Sequence, residues 1–149
     1  MKGLEKRVRG AMETSLILIG REAKEFFGDN FKKQGFDDKN VEKWKPRKGE
    51  IVGGIAMVSK RSKGSRGILI GKGRGVLRNS IQVGKISKTK LSVSIKTDLD
   101  YAAVHNFGLR AGRGKGFKME QRQFIGDSYN LNEKVKKIIV NKLDKVFKK

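Results

Sequence analysis

Apolar side chains recur every three or four residues from Leu4 to about Gln34, which is the spacing of an amphipathic helix. The stripe consists of Leu4, Val8, Ala11, Ser15, Ile19, Ala23, Phe26 and Phe27. Gly35 is the natural residue to end this helix, because glycine adopts the left-handed conformation readily. A helix of this length would span about 45 Å. The pattern therefore leaves open a break near Gly20 or Gly28, or one helix that extends to a neighbouring subunit.

Alternation of apolar and polar residues predicts two β-strands in the middle of the chain. In "NSIQVGKIS", Ile81 and Val83 alternate with polar residues, and in "KLSVSIKT", Leu91, Val93 and Ile95 do so. The polar "SKTK" between them suits the turn of an antiparallel hairpin. A third stretch, "QRQFIGDS", is short and apolar enough for a final strand.

Two further helices are predicted in the last third of the chain. The stretch "DLDYAAVHNFG" indicates a short helix or turn that ends at Gly108, with Tyr101, Val104 and Phe107 packed inward. The C-terminal helix can be capped by Asp127, Ser128 or Asn130. Its apolar stripe consists of Leu131, Val135, Ile138, Ile139, Leu143 and Val146. The sum is an α+β fold with a long N-terminal helix, a small antiparallel sheet, a short helix and a C-terminal helix.

A basic, glycine-rich stretch interrupts these elements. Residues 36–50 form a connector with the only tryptophan, Trp44, which we expect to dock on the body of the protein. Residues 51–75 are rich in Gly, Ser, Lys and Arg, and cannot bury enough apolar area to offset their ordering entropy. We therefore expect a mobile basic loop at 51–75, although "IVGGIAMV" and "GILIG" are apolar enough to form strands or to dock. The whole chain, 1–149, reads as one domain.

Charge narrows the class of partner. The chain of 149 residues has 36 Lys and Arg against 15 Asp and Glu, a net charge of +21. Such a charge repels itself in the compact state, so it predicts a negative partner: nucleic acid, an acidic protein surface or, last, an anionic membrane. There are no cysteines, which excludes disulfides and thiolate metal sites. The longest apolar run, "SLILIG", is too short to span a membrane, so we expect a soluble protein with no membrane partner.

Candidate catalytic and cofactor-binding residues are few. "GILIGKG" has three residues where a Walker A loop needs four, and "GKGRGV" lacks the third glycine of a dinucleotide fingerprint. The only histidine, His105, could form a triad with Asp98 or Asp100 and Ser80 or Ser128, but no nucleophile elbow surrounds either serine. The sequence predicts no cofactor, no metal and no catalytic residue, and a small enzyme that uses His105 is kept as a third hypothesis.

The basic loops are the candidate interaction sites. Arg-Gly and Lys-Gly stretches can reach phosphates with little hindrance, and counterion release favours such contacts. The candidate contacts to DNA or to a partner are Lys60, Arg61, Lys63, Arg66, Lys72, Arg74, Arg110, Arg113 and Lys115. No known nucleic-acid-binding motif accompanies them, so a solvated or subunit-facing basic surface is an equal alternative.

The order of the motifs carries a family resemblance. "WKPRK" is followed by a basic loop, "GVLRNSI", a hairpin, "YAAVHNFG", a glycine-rich loop, "RQFIGDS" and a last helix. This order resembles the phage virion morphogenesis or tail completion family, the relatives of phage Mu protein G and phage P2 protein S. The family-motif residues, which the resemblance implies are structural, are Trp44, Leu77, Ser80, Tyr101, His105, Gly108, Arg122, Phe124 and Gly126. Asn106 stands where the family often has glutamine, and Gln123 where it has proline.

The resemblance implies a structural phage protein without enzymatic activity. In this family such a protein is expected to complete the tail or to join head to tail as a homo-oligomeric, six-membered ring through which DNA passes. It implies the tail tube protein and the head connector protein as partners. It also implies a location at the tail end or neck of the virion, after assembly in the host cytoplasm. His105 would then hydrogen-bond locally or across a subunit contact.

Overall fold

The computed structural model describes residues 2–46, 51–52, 55–56, 67–70 and 75–148, over which four helices and four two-stranded antiparallel hairpins form. The helices are α1 (Lys2–Lys33), α2 (Val76–Asn79), α3 (Tyr101–Phe107) and α4 (Tyr129–Phe147). The hairpins pair β1 (Gly35–Asp37) with β2 (Val41–Lys43), β3 (Ile51–Val52) with β4 (Ile55–Ala56), β5 (Gln82–Ser87) with β6 (Ser92–Lys96), and β7 (Arg110–Ala111) with β8 (Phe117–Lys118). The α+β class and the predicted order of helices and hairpin are confirmed.

Helix α1 is continuous, so neither Gly20 nor Gly28 breaks it. Gly20 instead marks the place where α1 lies against the β5–β6 hairpin. A Cβ atom there would be 3.0 Å from Cγ1 of Val83 and 3.1 Å from Cγ2 of Val93. The missing side chain therefore lets the helix and the hairpin approach closely.

The end of α1 differs from the prediction. The left-handed residue after the helix is Gln34, with φ 53°, and Gly35 begins β1. The side-chain amide of Gln34 donates to the carbonyl oxygens of Phe31 and Ile68 and accepts from the N–H of Ile68. These hydrogen bonds, made to both the helix and residues 67–70, offset the strain of the left-handed backbone.

The hydrophobic core lies beside the second half of α1. Phe31 is at its centre with 1% of its surface exposed, and its ring centroid is 5.5 Å from Trp44 and 5.2 Å from Phe124. The other buried apolar residues of this core are Ala23, Phe26, Phe27, Phe36, Leu77, Ile81, Ala102 and Leu131. Trp44 is 7% exposed, which confirms that the connector docks on the body.

Helix α4 runs antiparallel to α1. Near its start Lys134 pairs with Glu22 at 2.5 Å, and near its end the guanidinium of Arg7 donates to the carbonyl oxygen of Val146. Of the three predicted caps, Ser128 is the N-cap, since its Oγ accepts from the N–H of Leu131 at 3.2 Å. Because α4 packs on α1 through one stripe only, most of its apolar stripe is half-buried rather than buried.

Most of the predicted basic loop at 51–75 lies outside the described residues. Strands β3 and β4 pair within it, and Ile68, Leu69 and Ile70 pack partly buried against the core. These parts agree with the expectation that its apolar stretches form strands or dock. The mobility of the loop, and a single domain over 1–149, stay predictions.

Two local predictions near α3 are wrong. Residues 119–128 contain no strand. In α3, Tyr101 and Phe107 are 43% and 63% exposed, and the buried residues are Ala102 and Asn106. Residues four apart share one helix face, so the inward face of this short helix is the one that Ala102 and Asn106 define.

Gly108 ends α3 in the left-handed conformation, with φ 65°. A Cβ atom there would lie 3.0 Å from Cβ of Gln121 and 3.1 Å from the carbonyl oxygen of Met119. We expect Gly108→Ala to lower the free energy of unfolding by about 2 kcal/mol, because a left-handed side chain is strained and also crowded. Urea denaturation followed by circular dichroism measures the change.

Gly114 provides the matched control. Its φ is 64°, but a Cβ atom would meet nothing within 4 Å. Gly114→Ala therefore reports the backbone strain alone, at about 1 kcal/mol. If both variants lost the same free energy of unfolding, the backbone at 119–121 would move aside without cost, which would contradict the close contact of Gly108 with Gln121 and Met119.

Candidate functional site

Buried polar residues from five parts of the fold meet near the C-terminal end of α1. They are Asn30 of α1, Asp37 of β1, Asn106 of α3, Arg122 of the 119–128 segment, and Ser128 before α4. We name these five residues the polar junction. Burying a polar group costs free energy unless it forms a hydrogen bond, so each of these side chains is expected to have a specific partner.

The Asn106 side chain takes the place of a neighbouring strand. Its Oδ1 accepts from the N–H groups of Phe124 and Ile125 at 2.9 and 3.0 Å, and its Nδ2 donates to the carbonyl oxygen of Ile125 at 3.0 Å. The backbone of this segment is thus satisfied by a side chain, which explains why the predicted final strand does not form.

Asn30 and Ser128 extend the same network. Asn30 is 0% exposed; its Nδ2 donates to the carbonyl oxygen of Phe124 at 3.1 Å, and its Oδ1 accepts from the N–H of Asp37 at 3.1 Å. The hydroxyl of Ser128 donates to the carbonyl oxygen of Asp37 at 2.7 Å. Helix α1, strand β1 and the N-cap of helix α4 are therefore joined through two side chains.

The carboxylate of Asp37 is the anionic member of the polar junction. Its Oδ2 pairs with Nζ of Lys33, and its Oδ1 accepts from Nδ2 of Asn130 at 2.8 Å. Burial alone would raise the pKa of Asp37, but the hydrogen bonds from Lys33 and Asn130 and the charges of Lys33 and Lys134 outweigh it and lower the pKa below 3.8. Asp37 is therefore ionised at neutral pH and ties α1 to α4.

Trp44 and Arg122 fasten the connector to the polar junction. The indole N–H of Trp44 donates to the carbonyl oxygen of Gln123 at 2.7 Å. The guanidinium of Arg122 donates from Nε and an Nη to the carbonyl oxygen of Lys45 at 3.3 and 3.1 Å, and from that Nη to Pro46 at 3.5 Å. Arg122 thus fixes the connector backbone at Lys45 and Pro46.

His105 lies beside Arg122. Its carbonyl oxygen accepts from the N–H of Arg122 at 2.8 Å, and its ring is edge-on to Tyr101 with centroids 6.0 Å apart. Its Nδ1 is buried and has no hydrogen-bond partner among the described residues, so the expected local hydrogen bond to the ring is not found at this atom. Burial and the charge of Arg122 lower the pKa of His105 below 6.5.

Three of the four triad partners considered for His105 are engaged elsewhere. Asp98 pairs with Lys96 at 2.9 Å. Ser80 donates to the carbonyl oxygen of Leu77 at 2.7 Å and lies 2.6 Å from Oγ1 of Thr97. Ser128 serves the polar junction. These contacts support a structural role for Ser80, Asp98 and Ser128.

The depressed pKa of His105 has a consequence for stability. Since the unfolded chain binds this proton at higher pH than the folded chain, the free energy of unfolding should fall as the pH drops from about 6.5 toward the folded-state pKa. His105 is the only histidine, so His105→Gln should remove this step from a plot of unfolding free energy against pH between 7 and 5. A step of the same size in His105→Gln would contradict the assignment.

The family-motif residues are only partly brought together. Arg122 belongs to the polar junction, and Trp44, His105 and Phe124 lie beside it. A Cβ atom on Gly126 would lie 3.5 Å from the Phe36 ring. Leu77 joins the core from α2, Gly108 ends α3, Ser80 bonds toward the β5–β6 hairpin, and Tyr101 is exposed.

Sequence reasoning missed Asn30 and Asp37, and it noted Asn106 only as a departure from the family pattern. A signal for Asn30 was present, because it lies four residues after Phe26 on the apolar stripe of α1. A polar residue on such a stripe indicates a buried amide with specific partners.

The candidate cations divide into two sets. Arg110, Arg113 and Lys115 are exposed on the β7–β8 hairpin, so the structure brings these three together on one projection. The others lie outside the described residues: Lys60, Arg61, Lys63, Arg66, Lys72 and Arg74.

The described part of the chain offers neither a cluster of metal ligands nor a membrane-spanning helix. Within it, no group of three or more His, Asp or Glu residues is placed to hold a metal ion. Among its helices, none has the length and apolarity needed to cross a membrane.

Comparison with known proteins gives one family. Neither the curated proteins nor the solved structures contain a significant match to the chain. The family model described as the phage virion morphogenesis family matches residues 5–144, which include the whole polar junction, the β7–β8 hairpin and most of α4. The chain therefore belongs to the phage virion morphogenesis family, and its role is a structural or assembly role in a phage particle.

Proposed function

We propose that the chain completes the phage tail or joins head to tail, as a homo-oligomeric ring through which DNA passes. The observation that carries this proposal is the family match over residues 5–144, in which the matched motif residues serve to fix the fold. Trp44, Arg122 and Phe124 hold the connector and the 119–128 segment together. The proposed partners are the tail tube protein and the head connector protein, at the tail end or neck of the virion.

The charge of the chain supports a passage for DNA. A net charge of +21 is unfavourable in an isolated subunit and is offset when phosphates lie close by. Among the described residues, Arg110, Arg113 and Lys115 are exposed and are available to contact DNA phosphates. The engagement of Ser80, Asp98 and Ser128 in local contacts supports a protein without enzymatic activity.

The decisive experiment for this function is a phage that lacks the gene. We expect its lysates to contain heads and tails that are separate in electron micrographs, and a wild-type copy supplied in trans to restore joined particles. Joined, infectious particles without the protein would overturn the proposal. Negative-stain images of tails with and without the protein test for a ring at the tail end.

A sequence-independent nucleic-acid-binding protein is the second candidate. It is favoured by the β7–β8 hairpin, where residues 109–119 hold four Lys or Arg and no Asp or Glu. Affinity for duplexes of unrelated sequence should then fall steeply with salt, with a slope that counts the phosphates neutralised. No binding at about 50 mM salt would exclude this candidate.

A further inference from the structure

The β7–β8 hairpin has two chemically different faces. Ala111 lies opposite Phe117 and Arg110 opposite Lys118 in the strand register. Residues directly opposite share a face, and successive residues alternate between faces. The N–H of Met119 donates to the carbonyl oxygen of Leu109 at 3.0 Å, which continues the pairing by one step. The apolar face of the hairpin therefore consists of Leu109, Ala111, Phe117 and Met119.

Leu109 and Phe117 of this apolar face are exposed to solvent, whereas Ala111 and Met119 are half-buried. Phe117 is 57% exposed and Leu109 47%, and Phe107, two residues before Leu109, is 63% exposed. Single exposed apolar residues are ordinary, but several in one short projection indicate a surface that a partner covers. The hairpin thus presents apolar area that the fold itself does not use.

The shape of the hairpin is already set in the free chain. The guanidinium of Arg110 donates to the carbonyl oxygen of Lys115, and the N–H of Gly116 donates to that of Arg113 at 3.2 Å. A surface with this internal bonding loses little conformational freedom when it binds, which favours affinity.

Charge decides what kind of partner fits. Arg110, Arg113, Lys115 and Lys118 are the only charged residues in 109–119, so the partner must be negative. Duplex DNA would neutralise these cations but leave the apolar face in water. Two copies of this hairpin packed against each other would cover the apolar face, but would leave the cations without carboxylates, because residues 109–119 contain no Asp or Glu. A protein groove with one apolar wall and one wall that carries carboxylates satisfies both faces.

We propose that the β7–β8 hairpin docks on an acidic protein surface of the phage particle. In this arrangement Phe117 and Leu109 lie against an apolar wall of a groove in that surface, and Arg110 and Lys118, on the opposite face of the hairpin, pair with carboxylates on the other wall. This inference rests on the proposed function, because it takes the acidic surface to belong to the tail or to the head.

Co-sedimentation with purified tails and with purified heads, both made in the absence of the protein, tests the docking. We expect the purified chain to sediment with one of the two. The double variants Leu109→Ser/Phe117→Ser and Arg110→Glu/Lys118→Glu should each weaken this binding at least about tenfold, as central contacts do. Heads that contain DNA and heads that are empty are compared, because binding only to the filled ones would indicate DNA.

Two control variants match these changes elsewhere on the surface. Lys137→Glu/Lys145→Glu makes the same charge change on exposed positions of α4, and Ile17→Ser/Val140→Ser removes apolar side chains that are 53% and 55% exposed. Both controls should bind within about twofold of wild type, since surface changes away from an interface have small effects. Circular dichroism establishes that all four variants are folded.

Several outcomes would overturn the docking proposal. Binding of the hairpin variants at the wild-type level, or binding of the wild-type chain to neither tails nor heads, would do so. Sedimentation velocity that shows Leu109→Ser/Phe117→Ser abolishing self-association would assign the apolar face to a second copy. Full complementation of the gene deletion by the hairpin variants would reject the docking alone, whereas a deletion without an assembly defect would reject the proposed function.

Discussion

Replacing Phe124 by alanine should lower the free energy of unfolding by about 3–5 kcal/mol. The ring is 1% exposed and its centroid is 5.2 Å from that of Phe31, at the centre of the core. The backbone of Phe124 is held on both sides, since its N–H donates to Asn106 and its carbonyl oxygen accepts from Asn30. The segment therefore cannot collapse into the cavity, and the loss should lie at the upper end of this range. Urea denaturation at constant pH measures it.

Phe107 gives the control for this prediction. It is the same residue type a short distance away in the sequence, but it is 63% exposed at the end of α3. Phe107→Ala should change the free energy of unfolding by no more than about 0.5 kcal/mol. A comparable loss for both variants would contradict the location of the core beside the second half of α1.

The long elements could be predicted from the sequence because their patterns repeat many times. Helix α1 has 32 residues, about nine turns, and apolar residues recur on one face through most of them. Strands β5 and β6 show alternation on both sides of a polar turn, and Val83 does lie opposite Ile95. A pattern repeated this often outweighs single exceptions such as Gly20.

The short elements could not be predicted in the same way. Helix α3 has seven residues, so its spacing does not distinguish the face of Ala102 and Asn106 from that of Tyr101. The 119–128 segment has the composition of a strand, but its conformation depends on Asn106, 18 positions away from Phe124, and on Asn30, 94 positions away. A local pattern carries no information about partners at such distances.

The candidate interaction surface shows the same division. Residue types in 109–119 were enough to predict a basic loop at Arg110, Arg113 and Lys115. They did not predict the hairpin, whose register separates these cations from Phe117 and Leu109. Charge is a sum over residues, whereas an apolar face depends on strand pairing. The residue types therefore indicate a negative partner, and the register adds the apolar face on which the proposal of a protein partner rests.

Replacing Asn106 by alanine should lower the free energy of unfolding by about 3 kcal/mol. The change leaves the N–H groups of Phe124 and Ile125, and one lone pair of the Ile125 carbonyl oxygen, without their partner at a position that is 5% exposed. Unsatisfied buried donors lose their hydration without compensation, so the effect exceeds that of an ordinary hydrogen bond. Urea denaturation measures the loss, and hydrogen exchange at Phe124 and Ile125 locates it.

Two further variants serve as controls. One tests whether Asn106 matters for its volume rather than for its hydrogen bonds, and the other tests the loss of an amide at an exposed position. Asn106→Leu keeps a similar volume but no acceptor, and should be at least as destabilising as Asn106→Ala. Asn132→Ala removes an exposed amide that donates only to Asp127, at 2.9 Å, and should lie within about 0.5 kcal/mol of wild type. If Asn106→Leu were instead as stable as wild type, the backbone of 119–128 would find other partners, and the amide would be a filler of space. We expect the amide protons of Phe124 and Ile125 to exchange fast in Asn106→Ala and slowly in Asn132→Ala. This result would show that the stability of the 119–128 segment depends on the Asn106 side chain, which the local pattern of apolar residues does not reveal.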